Sequence, residues 1–159
     1  MANRIVSLPL RDVLGCNQGF ASIGQSGIKA TTSLLVALCR RACQAEAVLY
    51  DEQRKALIEE FGQKTPNGEF GVVVDPKVKG YSEAKIQAFK DELESLLNTV
   101  VSITAPVLAV ANLTNRVGDP VDVPPEALLA CAKFFTDFDA EVVDAAASPA
   151  PDKVVSLVE

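Results

Sequence analysis

The 159-residue sequence contains no histidine and no tryptophan. Lack of His removes the commonest acid–base group near neutral pH, the commonest metal ligand and any Ser–His or Cys–His nucleophile pair. The four cysteines, Cys16, Cys39, Cys43 and Cys131, form no C-x-x-C pair, and no imidazole is present to complete a zinc set. No apolar run approaches the roughly 18–20 residues needed to span a bilayer, and Met1–Ile5 carries no signal-peptide core. The chain is therefore expected in the cytosol of the cell that makes it, with no membrane contact. Clustered basic residues are also missing, which argues against specific nucleic-acid binding. The Gly-x-x-x-x-Gly-Lys-Ser/Thr phosphate loop is absent.

What is present reads as an ordinary folded chain. Apolar residues make up 48% and charged residues 23%, close to globular averages. The net charge of −6 is uneven. Residues 1–50 carry five basic groups against Asp12 and Glu46, and the acidic excess lies in the rest. Adjacent carboxylates occur at Asp51-Glu52, Glu59-Glu60 and Asp91-Glu92. Neighbouring helix positions diverge by about 100°, so these pairs do not converge on one substrate. They read as solvated faces. Cys39 and Cys43 share one face of a helix at i, i+4, and all four cysteines read as small buried hydrophobes. No catalytic residue, cofactor or metal site is expected.

Along the chain, residues 4–9 read as a short extended segment. Leu10, Val13, Leu14, Phe20 and Ile23 follow as a short helix ending near Gln25-Ser26-Gly27. Residues 28–61 contain no Pro or Gly. Leu35, Leu38, Ala42, Ala45, Leu49, Ala56 and Phe61 give that stretch an apolar stripe. Such a helix is on the order of 50 Å long, more than a small domain spans, so part of it should project or meet another chain. Gly62 stops it.

Thr65-Pro66-Asn67-Gly68 signals a turn, and Phe70 with Val72–Val74 reads as a short strand of a small hairpin. Ser82 caps an amphipathic helix carrying Ile86, Phe89, Leu93, Leu96 and Leu97. Val100, Val101 and Ile103 form a strand. Pro124-Pro125-Glu126 opens a helix running to Phe138 that is apolar on most sides, and hence buried in a core or an interface. The fold class is mainly α with minor β: an antiparallel helical hairpin or bundle with a small β-hairpin and an extended C-terminal arm. Residues 1–138 form the helical domain. Residues 139–159 read as an Ala/Pro-rich acidic linker followed by the β-prone docking segment Val154-Val155-Ser156-Leu157-Val158.

The order of these elements resembles a known family. Tyr50-Asp51-Glu52-Gln53-Arg54-Lys55-Ala56-Leu57-Ile58-Glu59-Glu60-Phe61-Gly62 closes the long helix, Asn67-Gly68-Glu69-Phe70 follows, and Glu92-Leu93-Glu94-Ser95-Leu96-Leu97-Asn98 closes the next. This is similar to small tailed-bacteriophage proteins of unknown function, in which a helix ending E-E-A-R-x-x-L-I-x-x-Y-G precedes D-E-N-G-N and a second helix ends E-L-x-E-L-L-N. Phe61 replaces the usual Tyr, and Thr65-Pro66 stands where acidic residues usually lie. The resemblance spans residues 8–138 and carries no catalytic residues to transfer. It implies a phage-encoded structural or assembly protein, an oligomeric virion component of capsid, connector or tail, assembled in the host cytoplasm. Its partners would be itself and other virion proteins. The alternative is a soluble phage effector that binds and inhibits a host protein. The interface residues expected are Leu49, Phe134, Phe135, Phe138, Val154, Val155, Leu157 and Val158.

Overall fold

A computed structural model describes residues 2–138. Its elements are β1 (Asn3–Pro9), α1 (Leu10–Gly24), α2 (Ala30–Phe61), β2 (Gln63–Lys64), β3 (Phe70–Gly71), α3 (Glu83–Leu97), β4 (Val100–Pro106) and α4 (Pro125–Ala130), with 3-10 turns at Val110–Asn112 and Ala132–Phe134. The fold is mainly α with minor β, as the periodicity predicts.

The core is built around α1. Leu10, Val13, Cys16, Phe20 and Ile23 are all buried, and their spacing follows one helical face. A five-residue link, Gln25–Lys29, turns the chain so that α2 packs back along α1. The start of α2 is pinned by two contacts with a distant loop. The Lys29 N–H donates to the Thr114 carbonyl at 2.8 Å, and the Thr32 hydroxyl donates to the Asn112 carbonyl at 3.0 Å.

The extended segment before α1 finds its partner almost a hundred residues away. Strands β1 and β4 pair antiparallel from Asn3↔Pro106 to Pro9↔Val100. Val6 and Leu8 on β1 and Ile103 and Ala105 on β4 turn inward onto the core. Ile5, Ser7, Ser102 and Thr104 face outward, as the two-residue strand period requires. The sheet thus closes one side of the α1–α2 pair.

Helix α2 outruns this core. Its last fully buried residue is Cys43, and beyond Tyr50 its inner side is covered by α3 of the same chain. Phe61 and Phe89 meet there edge to face, with ring centroids 6.4 Å apart. Ser82 caps α3 by accepting from the Lys85 N–H at 3.3 Å. Gly68, at φ +87°, makes the β2–β3 turn that Asn67-Gly68 predicts.

Three expectations need correction. Val72–Val74 lie outside the strand, because β3 ends at Gly71. The last helix does not reach Phe138: α4 ends at Ala130, and Cys131 leaves helical geometry at φ −100°, ψ 10° before a 3-10 turn. The apolar residues there serve a turning backbone that drops Phe134 and Phe135 into the core. The fully buried residues of α2 are Thr32, Val36, Cys39 and Cys43; of the expected stripe, Leu35 and Ala42 pack half-buried against the core, whereas Ala45, Leu49 and Ala56 are exposed. Thr32 reaches the Asn112 carbonyl and Cys39 the Pro106 carbonyl of β4, so this face of α2 meets the loop and the sheet as well as α1.

Candidate interaction surface

Helix α2 carries two apolar faces. At about 100° per residue, Thr32, Val36, Cys39, Cys43 and Tyr50 fall on one side and meet the core. Leu34, Ala45, Val48 and Leu49 fall on the opposite side, and all four are exposed. Leu34 is 56% accessible, Val48 51% and Leu49 53%. Ala30, Ala37 and half-buried Leu38 extend this outer face, and Arg41 is the one charge within it between residues 30 and 50. Beyond Tyr50 the same side becomes Glu52, Lys55, Ala56 and Glu59. A solvated helix face normally carries charged residues at such positions. Among the described residues no element covers these apolar side chains.

The expected interface residues do not gather in one place. Leu49 lies on the outer face of α2. Phe134 and Phe135 are only 0% and 5% accessible, so they are core residues and not interface residues. Phe138 is half-buried against that core. Val154, Val155, Leu157 and Val158 lie outside the described residues. Sequence reading missed Leu34 and Val48. The signal was the alternating three- and four-residue spacing of Leu34, Leu38, Arg41, Ala45, Val48 and Glu52.

A concavity of about 460 Å³ lies where the start of α1 faces the end of α4. Leu8, Gly15, Leu129 and Ala130 form its apolar wall, and Arg11, Asp12 and Lys133 stand around it. Arg11 is already engaged by Glu94 of α3 at 2.6 Å, and the Arg4 guanidinium donates to the Lys133 carbonyl.

Behind this cleft the cysteines converge. All four are buried and free. The Cys16 thiol donates to the Ala130 carbonyl at 3.0 Å, and the Cys131 thiol lies 3.5 Å from the Cys16 carbonyl. Beside the Cys16 side chain and out of water, the Cys43 and Cys131 thiols are held above their ordinary range. Desolvation pushes Cys39 up to about 12. The bond to the Ala130 carbonyl requires a proton on Cys16, so the geometry fits the neutral cluster. Among the described residues no three His, Cys, Asp or Glu side chains are placed to hold a metal ion. None of the described helices is long and apolar enough to cross a membrane.

No family model, curated protein or solved structure matches the chain.

Proposed function

We propose that this chain is a non-enzymatic assembly protein that works by binding copies of itself and, through them, other components of a tailed-phage particle. The observation that carries this reading is the outer face of α2. Leu34, Val48 and Leu49 are each more than half exposed on a helix about 48 Å long. Mechanism here means contact. A rigid helix, anchored along its inner side by α1 and α3, presents an apolar strip to a partner without reorganising. Preorganisation of that kind limits the entropy lost on binding. The phage source rests on the motif order in residues 50–98.

Mass spectrometry of purified particles tests the reading. Recovery of the chain at a fixed copy number per particle supports it. Absence from particles overturns the virion assignment and favours the host-binding effector.

A further inference from the structure

We infer that two copies of the chain pair through antiparallel α2 helices, with Arg41 of each copy against Glu52 of the other. This rests on the self-association reading above and specifies its surface and register.

The argument starts from spacing. Leu34, Leu38, Arg41, Ala45, Val48 and Glu52 recur at alternating steps of four and three residues. That is the seam of a two-helix coiled contact, in which outer-face residues of one helix fill gaps in the other. All six lie on the side of α2 turned away from its own core, and five are exposed, with Leu38 half-buried. Among the described residues this seam has no partner, because α1, α3 and β4 all pack on the other side of α2.

Charge then selects orientation and register. A parallel pair aligned in register would set Arg41 against Arg41 and Glu52 against Glu52, with like charges opposed at both charged positions of the seam. An antiparallel pair with Ala45 opposite Val48 of the other copy puts Arg41 opposite Glu52, and two-fold symmetry makes each contact twice. Ala45 at the centre lets the helix axes approach closely. Leu38 then lies under the aliphatic stem of Lys55, whose ammonium reaches water. Sliding by one heptad would oppose Leu38 and Val48 and bury more apolar surface. It would also leave Arg41 against Ala45 near the centre of the overlap with no opposite charge, the costly outcome. In the favoured register the charges that face Leu34 and Leu38, Glu59 and Lys55, lie at the ends of the overlap, one turn apart, where they reach water and each other. The favoured overlap runs from residue 34 to residue 59, about 39 Å of helix.

Charge reversal tests this, read by sedimentation velocity and mass photometry of the full chain. R41E and E52R each replace two attractive contacts with two repulsive ones, and each alone should weaken self-association at least about tenfold. Mixing the two variants restores both pairs in a heterodimer, and the double variant R41E/E52R restores them in a homodimer. Both positions are exposed, so circular dichroism should show unchanged folding. Independently, A45C mixed with V48C should form a disulfide-linked heterodimer on mild oxidation, because the four native thiols are buried. A wild-type oligomer indifferent to R41E and E52R, or single variants that do not recover on mixing, overturns the inference and leaves the assembly reading standing. A wild-type chain that stays monomeric at high concentration overturns self-association itself.

Discussion

The rings of Phe20 and Phe134 meet edge to face, with centroids 5.1 Å apart and planes at 82°. Both side chains are fully buried. The pair ties the middle of α1 to the 3-10 turn after α4, so it fixes where the C-terminal part of the domain docks. Truncating either ring to Ala should cost about 3–5 kcal/mol, a large fraction of a small domain's total stability. Phe134→Leu is the gentler probe, losing the ring-edge contact of about 1 kcal/mol with some added void. Urea midpoints for Phe20→Leu, Phe134→Leu and the double variant should show coupling between the sites. Additive effects would mean that the rings stabilise the core separately.

Immediately before Phe20, Gly19 lies where α1 packs against α4 and the residue that follows it. A Cβ built there meets the Cys131 sulfur at 2.6 Å and the Ala127 carbonyl oxygen at 3.0 Å. Gly19→Ala should therefore destabilise by about 1–3 kcal/mol, although Ala is the better helix former by about 1 kcal/mol. Removing the sulfur with Cys131→Ala relieves the nearer contact and leaves the carbonyl one. The double variant should be more stable than the sum of the single effects predicts, by about 1 kcal/mol or more. Equal and additive losses would show that the two helices separate freely instead of being held at this spacing.

These contacts explain what sequence reading reached and where it stopped. The length of α2 was legible because residues 28–61 lack Pro and Gly, and Ser82 marked the start of α3 because its cap is local. The inner face of α2 was not legible. Thr32, Cys39 and Cys43 are weakly hydrophobic, yet they are buried, while the stronger signals at Leu34 and Leu49 face outward. The pairing of β1 with β4 leaves no local trace, because the partners stand almost a hundred residues apart. The run from Leu128 to Phe138 matched a helix in composition, but burial of Phe134 and Phe135 is achieved by a turn that periodicity alone does not reveal. The candidate surface is legible in part: Leu49 is among the expected residues, whereas Val48 beside it and Leu34, about four turns away, are hidden when α2 is given a single stripe.

Thr32 is the buried polar side chain at the start of α2, 2% accessible, and its hydroxyl reaches the Asn112 carbonyl. Thr32→Val keeps the shape and deletes the donor. The Asn112 oxygen still accepts from the Thr114 N–H at 2.9 Å, so the expected loss is one ordinary hydrogen bond, about 1 kcal/mol. Thr32→Ser keeps the donor and deletes a methyl, also at about 0.8 kcal/mol. Amide exchange separates the two. The Val variant should speed exchange at Lys29, whose N–H bonds the same loop at Thr114, and the Ser variant should not. Equal protection in both variants would show that the hydroxyl does not hold the loop.

Asp137 links the end of the described chain to the 3-10 turn at Val110–Asn112. Its carboxylate accepts from the Val110 N–H at 2.5 Å and the Ala111 N–H at 3.0 Å. Desolvation opposes the charge, but the Ala111 and Val110 N–H groups, with its own, outweigh it, and the pKa is lowered. A carboxyl more acidic in the folded chain than in the unfolded one adds stability that is fully present above the unfolded pKa of about 3.9 and is lost as pH falls through the folded value. Wild type should therefore exceed Asp137→Asn in urea midpoint by a constant margin from pH 7 down to about pH 5. That margin should shrink below about pH 4, because Asn retains one acceptor oxygen and never titrates. Asp137→Ala should cost about 1 kcal/mol at neutral pH by the same reasoning that applies to a lost helix cap. A margin that stays flat into acid would mean that the two N–H groups hold the side chain by geometry and not by charge.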